Sequence, residues 1–451
     1  MIFFRRRRLI AWLIRAYIKR WGKSILLFFG VGLFLFAILF LNLTFIKSKV
    51  PIAKTWDIGL VGSYSVNSLP SEVLDKVSKG LTNVTADGKV HPSAAKSWEI
   101  KDNGKTYVFH LNDNITFTDG AKLDSSLVNY NFSDASVARP DKYTIIFGLK
   151  DSYAPFLLTV SNRKILKDNF VGIGDYKITD IKTNGDFIQS IQLQSINAGE
   201  RFNYKFFDSH EGLKTAFVLG EVDEMADIND LNYKSIDFRT FKNIEIEKNT
   251  NYQKLVTLFY DNQDKYLSDK KIRKALSYAL PNEFAEGDRQ FSPLSPKLWA
   301  HEPISDPYLQ DFAHSKLLLS EDASGSAQLS LTIKTLSQYR PIADKISQAW
   351  TQVGIKTLVE SVDSVPDVFQ VYLGDFPVLK DPDQYSIWHT DQPSNISNYR
   401  NLRIDKLLED GRKTVSREER KKIYASFEKY LLDDAPASFL FFPYTYTVKR
   451  K

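Results

Sequence analysis

Residues 97–111 read SWEIKDNGKTYVFHL, two alternating runs on either side of Asp102-Asn103-Gly104. Alternation puts every second side chain on one face, and Asn-Gly supplies the positive φ that a tight turn needs, so the stretch predicts a β-hairpin. Upstream, residues 56–61 (WDIGLV) read as a short strand, and 71–81 (SEVLDKVSKGL) as a helix started by Ser71 and closed by Gly80. Downstream, residues 116–120 (TFTDG) make another turn and 125–132 continue helically. Residues 171–206 alternate again, with turns at 172–175 and 184–185. Helical spacing is predicted over 213–219, 269–280, 339–353, 404–412 and 417–432. Strands are predicted over 255–259, 329–335, 356–360, 368–373 and 438–442. Helices and strands mixed along 451 residues, with no internal repeat, give an α/β body of more than one lobe.

Composition narrows the chemistry. The chain is 43% hydrophobic and 25% charged, which fits globular lobes rather than a disordered or collagen-like polymer. It has no cysteine, which excludes disulfides, thiolate zinc sites, iron–sulfur clusters and a cysteine nucleophile. Its six histidines are scattered and no HExxH occurs, so no metal or other cofactor is expected. The net charge of +6 is unevenly placed: residues 1–54 hold eleven Lys/Arg and no Asp/Glu, leaving 49 basic against 54 acidic side chains on the body. A nucleic-acid partner would need a basic face on the folded part.

The concentrated charge flanks an apolar run. Residues 25–46 read ILLFFGVGLFLFAILFLNLTFI, 22 residues without a charge. As a helix they extend about 33 Å, enough for a hydrocarbon core of roughly 30 Å. The run is too long for a signal-peptide core and no small-x-small cleavage site follows it. Eight basic residues precede the span, Arg5 to Lys23, and three follow closely, so the positive-inside rule leaves the N-terminus in the cytoplasm. The expected organisation is a basic interfacial segment over 1–23, a single-pass membrane anchor over 24–46, a linker over 47–54, and a body outside the cytoplasm.

Enzyme patterns are thin. Ser161 with Lys164, and Ser268 with Lys271, match S-x-x-K, but no S-D-N or K-T-G triplet accompanies them. Ser268 reads better as a helix cap. No G-x-S-x-G elbow and no Gly-rich dinucleotide fingerprint is present, and Asp381/Asp383 or Asp433/Asp434 are ordinary turn carboxylates. The chain is expected not to be an enzyme.

A series of segments is ordered in a recognisable way. Gly80-Leu81 precedes Asp87-Gly88-Lys89-Val90-His91-Pro92, then Ala95-Lys96-Ser97-Trp98-Glu99, residues 102–111 and Phe117-Thr118-Asp119-Gly120. Gly172-Ile173-Gly174-Asp175-Tyr176, Gly220-Glu221-Val222-Asp223 and residues 267–279 (LSDKKIRKALSYA) follow. Val353-Gly354-Ile355, Asp381-Pro382-Asp383, the Asn395/Tyr399/Asn401/Asp405 run and Asp433-Asp434-Ala435-Pro436 close the series. In this order the chain resembles the family 5 extracytoplasmic solute-binding proteins, the peptide- and nickel-binding receptors of ABC importers.

The resemblance implies a two-lobed clamp of the periplasmic-binding-protein type II class, here preceded by one N-terminal transmembrane helix. Lobe I would comprise 55–250 with the return of 435–451, and lobe II 251–434, the chain crossing near 250–260 and 435–442. It also implies a peptide ligand, ABC permease and ATPase partners, and a bilayer contact through 24–46. In peptide-binding members an Asp shortly before the DPD turn pairs with the ligand's α-amino group, which points to Asp375. Tyr385 and Trp388 are candidates for aromatic pocket walls. Asp261 falls where the family usually has Asn at the start of the second lobe. The family's lipidated Cys has no counterpart here. Two alternatives stay open: a ligand sensor or adhesion module on the same clamp, and a receptor for nickel chelates or another small solute.

Overall fold

The structure is a computed structural model that describes residues 2–41, 55–305, 307–320 and 329–451. Residues 1–55, with 198–201, form one compact unit and the rest of the chain a second. In the first unit, Ile2–Leu41 is one continuous helix of 40 residues. Its Trp12, Tyr17, Trp21, Leu26, Phe28 and Phe34 side chains are exposed. Residues 42–46 of the expected span and the linker 47–54 lie outside the described residues. Among the described residues no helix is long and apolar enough to cross a membrane.

The body is built on a twelve-stranded sheet. Its main path runs Tyr176–Asn184, Phe187–Ser195, Arg201–Phe207, Thr55–Val61, Glu224–Ile228, Ala437–Arg450, Lys254–Tyr260, Val371–Pro377, Ser330–Leu336 and Lys356–Val362. The C-terminal strand Ala437–Arg450 serves both halves. Its first part pairs antiparallel with Lys254–Tyr260, from Phe259↔Ala437 to Val256↔Phe441. Its second part pairs with Ile244–Thr250, from Thr250↔Tyr444 to Ile244↔Arg450. The sheet therefore changes partners at Pro443, where the ring leaves no N–H for a ladder bond.

Each half has its own core. Helix Arg340–Thr351 turns Ile342, Ala343, Ile346 and Trp350 onto the strands holding Val256, Leu258 and Ile333. Those positions repeat at helical spacing, and each buried aliphatic side chain contributes about 1.5–3 kcal/mol. In the other half, Ile58, Leu60, Val73, Val77, Ile191 and Leu193 pack together. A separate four-stranded sheet, Ala95–Lys101, Thr106–Leu111, Thr144–Leu149 and Ala135–Asp141, buries Tyr107, Phe109, Ile145 and Phe147.

The hairpin forms as read, with Ala95–Lys101 paired to Thr106–Leu111 and positive φ at Asp102, Asn103 and Gly104. Other expectations change in detail. Residues 125–132 are not a helix: a single 3-10 turn at Ser125–Leu127 is capped by Asp124 and ends at Val128, whose backbone is extended. The early helix stops at Val77, so Gly80 does not close it. A Cβ on Gly80 would overlap the Val160 and Ser161 carbonyl oxygens, so close packing demands this glycine. Asp269, not Ser268, caps Lys270–Tyr278 by accepting from the Lys271 N–H at 2.7 Å.

Most motif residues prove to be fold-makers. Arg273 donates to the carbonyls of Leu267, Ser268, Asp434 and Ala435 at 2.6–3.1 Å, which closes the C-terminus of helix Arg417–Asp434. Both acids of the DPD turn are paired: Asp381 takes a two-pronged contact from Arg420 at 2.6 and 2.9 Å, and Asp383 one from Arg412 at 2.9 and 3.1 Å. Asn401 caps Leu402–Lys413, Asp405 accepts from the Thr390 N–H, and Tyr399 donates to Asp434 at 2.6 Å.

Candidate functional site

A cavity of about 710 Å³ opens where the chain passes between the two halves of the sheet. The crossing segments supply Asn251, Lys254, Pro443, Tyr444 and Thr445 to it. One side adds Tyr64, Glu72, His210 and Asp227, the other Glu286, Gln338, Tyr339 and Ile342.

Asp227 reaches the cavity because its strand is irregular. Between Met225↔Val448 and Ile228↔Tyr446 the strand gains one residue on its partner, and Asp227 takes φ 54°. A bulge of this kind re-aims a side chain that regular pleating would place elsewhere. Glu72 comes from the first turn of helix Ser71–Val77. Among the described residues neither Glu72 nor Asp227 makes an ion pair, whereas Asp230 is held by buried Lys214 at 2.9 Å and Glu286 by Lys345 at 2.5 Å. The surrounding protein and then the Asp227 charge push the Glu72 carboxyl above its usual range. His210 sits on the same wall. Desolvation and then Lys214 lower its pKa, which favours neutral imidazole, and its Nδ1 has no partner among the described residues.

Of the residues singled out in the sequence, Asp375 stands nearest this chemistry. It lies on Val371–Pro377, opposite Val256, and accepts from the Tyr339 hydroxyl at 2.5 Å. Lys254 Nζ is 3.7 Å away. Both partners line the cavity, so Asp375 stands immediately behind its wall. Burial, then Asp375, push the Tyr339 phenol well up, so it remains a hydrogen-bond donor.

Tyr385, Trp388 and Asp261 stand elsewhere. Trp388 is fully buried among Phe259, Phe376 and Phe439, its indole N–H held by Gln384 Oε1 at 2.9 Å. Tyr385 stacks on His389 and carries the Arg412 guanidinium 4.0 Å over its ring. It faces a different cavity, of about 900 Å³, shared with Phe132, Tyr153 and Phe156. Asp261 accepts from Asn398 at 3.0 Å and from the Gln263 N–H at 3.1 Å, as a loop brace. Among the described residues, no group of three or more His, Asp or Glu stands close enough to hold a metal ion.

The cleft residues that the sequence does not single out, Tyr64, Glu72, His210, Asp227 and Tyr444, belong to no motif. The one signal that points to them is the pair of crossing segments, since a clamp gathers its cleft where the chain passes between lobes.

The sequence matches the profile of bacterial extracellular solute-binding proteins, family 5 Middle, over residues 89–400. It is 23% identical over 420 residues to a probable D,D-dipeptide-binding periplasmic protein of Escherichia coli, covering 80% of each chain. Among solved structures it is similar to the NikZ protein of Campylobacter jejuni in complex with Ni(L-His), with a TM-score of 0.72 at 21% identity over 88% of this chain and 94% of that one. It is also similar to the periplasmic binding protein DppA of Helicobacter pylori in complex with the peptide STSA, with a TM-score of 0.68 at 18% identity over 90% and 95%. These likenesses establish the two-lobed α/β fold. The chain thus belongs to the family 5 bacterial extracellular solute-binding proteins.

Proposed function

We propose that this protein is a membrane-anchored receptor that captures peptides between its lobes outside the cytoplasm and hands them to an ABC permease. The observation that carries the reading is the cleft at the crossing strands, walled by Glu72 and Asp227, which make no ion pair among the described residues, and backed by Asp375. A cleft whose lining carboxylates outnumber its one lysine, Lys254, suits a ligand bearing an ammonium group. Asp375 is the proposed partner of the α-amino group, with Tyr339 orienting its carboxylate. Main-chain groups and aromatic walls such as Tyr64 and Tyr444 would accept varied side chains. The chain performs no chemistry on its ligand in this reading, and the permease and ATPase are separate chains.

For the lobes we take 55–250 and 251–434 as read from the sequence, with the start of the 435–451 return, up to Phe442, assigned to the second lobe and the remainder to the first. The register of Ala437–Arg450 favours placing the second crossing at Pro443 rather than at 435. The anchor is residues 24–46, supported by the continuous helix Ile2–Leu41 and its exposed apolar side chains. A second reading, a nickel–amino-acid chelate as ligand, draws support from His210, which lines the cleft and whose buried Nδ1 has no hydrogen-bond partner among the described residues.

The test is a thermal-shift screen of the full chain in detergent against di- to penta-peptides, their N-acetylated forms and nickel–histidine. A ligand at 100 times its dissociation constant stabilises the folded state by about 2.7 kcal/mol. The peptide reading expects stabilisation by free-amine peptides that acetylation abolishes. Stabilisation by nickel–histidine alone moves the assignment to the chelate, and no response to either overturns both.

A further inference from the structure

The two crossing segments meet at a single carboxylate. Asp288 lies on the short strand Gly287–Arg289, which pairs with the C-terminal strand at Phe442 and so belongs with its first half. Its side chain reaches past the change of partners. Oδ1 accepts from the Tyr444 hydroxyl at 2.6 Å; Oδ2 accepts from Thr250 Oγ1 at 2.7 Å and the Tyr252 hydroxyl at 3.2 Å. Thr250 ends the strand entering the first crossing, Tyr252 lies in that crossing, and Tyr444 begins the strand half beyond the second.

Among the described residues the lobes also meet away from this neck, where Ala154 N–H donates to Arg412 O at 2.7 Å and Trp299 N–H to Asp87 O at 3.2 Å, and backbone bonds reinforce the neck itself. Asn251 N–H donates to Pro443 O at 2.9 Å and Tyr444 N–H to Glu286 O at 2.9 Å, while Pro443 has no N–H to give. Hydroxyl donors to an ionised acceptor make about twice as strong a bond as neutral pairs. Burial opposes the charge on Asp288, yet the hydrogen bonds from Tyr444, Thr250 and Tyr252, helped by Lys248, hold its carboxyl below the usual range. Bonding to Asp288 in turn pushes the Tyr444 phenol up to about 12, and Lys248 Nζ sits 3.3 Å over its ring.

We infer that Asp288 is a positioning residue that clasps both crossing strands and thereby sets the angle at which the lobes close. Tyr444 joins the clasp to the cleft, since its ring also lines the cavity beside Asn251, Lys254 and Glu286. A ligand that needs the closed arrangement binds with an affinity reduced by the fraction of molecules not in it. The inference concerns the angle between lobes and holds whatever the ligand is, so it stands or falls separately from the peptide reading.

The absence of cysteine makes the test clean. Cysteines introduced at exposed Asp180 and Gln352, one in each lobe, carry spin labels on the full chain in detergent. Pulsed electron spin resonance then reads the distance between lobes without added ligand. Asp288→Asn and Tyr444→Phe are each expected to lengthen and broaden that distance, and the double variant to add nothing to either alone. Thermal midpoints taken alongside separate a changed angle from general loosening. An unchanged distribution in both single variants, or effects that simply add, overturns the inference. Should Asp288→Asn fail to fold, Tyr444→Phe and Thr250→Val are read in the same way and decide it.

Discussion

The Tyr339 hydroxyl donates to the Asp375 carboxylate at 2.5 Å, so one wall of the cleft holds an oriented anion immediately behind its surface. Tyr339 fixes the carboxylate without neutralising it, and Lys254 at 3.7 Å offsets its charge only in part. Asp375→Asn is expected to weaken binding of free-amine peptides by about tenfold to a hundredfold, the cost of an orphaned ammonium in a closed site. Tyr339→Phe should cost less, since the anion survives but loses its orientation. Titration calorimetry with one responsive peptide reads both. Equal affinity in Asp375→Asn and the parent chain removes Asp375 from the site.

Glu72 gives a prediction in pH. Its carboxyl is raised in the folded chain by its surroundings and by Asp227. A raised carboxyl favours the folded state fully below the unfolded carboxylate range, and that contribution is lost as pH rises through the folded value. Glu72→Gln should therefore raise the thermal midpoint at neutral pH and leave it unchanged near pH 3. The same change should weaken binding of amine-bearing peptides roughly tenfold at low salt, and less at high salt. Melting curves across pH, with and without peptide, check both signs.

Arg420 and Asp381 form a buried pair of structural weight. Their side chains are 6% and 12% exposed. Removing one partner leaves the other charged and desolvated, so Arg420→Ala should cost about 3–5 kcal/mol of stability. Urea unfolding at neutral pH measures it, and a loss below about 1 kcal/mol, the range of an exposed pair, would contradict the buried contact.

Gly80 tests packing where no side chain exists. The Val160 and Ser161 carbonyl oxygens already occupy the space a methyl group would need, so Gly80→Ala forces backbone apart. The expected loss is about 1–3 kcal/mol. Gly120→Ala meets nothing within 4 Å, and only its positive φ of 87° opposes the change. The smaller loss expected there makes it the control in the same urea series.

The anchor is tested by fractionation. The full chain should stay in the membrane pellet through carbonate washing, and a chain lacking residues 1–46 should appear in the soluble fraction. Recovery of the full chain in the wash would remove the span over 24–46.

The framework was legible where the sequence carries local chemistry. The Asp102-Asn103-Gly104 turn and the spacing of Ile342, Ile346 and Trp350 state their own conformation, because turn geometry and helical period are properties of neighbours. The ordered motifs gave the family but do not point to the cavity at the crossing strands. Asp381, Asp383, Arg273, Asn401 and Asp405 instead close helices, accept from loop N–H groups and pair charges. Trp388, an attractive wall residue on paper, packs the core instead. The cleft side chains resisted prediction for a different reason. Asp227 owes its aim to a single extra residue in a strand, and Tyr444 to a change of strand partners, and neither follows from a local window.

The strand Ala437–Arg450 also couples the folding of the two halves. Because both halves of the large sheet need it, neither is complete until this strand has docked. Until then Lys254–Tyr260 and Ile244–Thr250 each expose an edge that it later covers. A chain in which this strand is deleted or cannot pair therefore loses both lobes together rather than one of them.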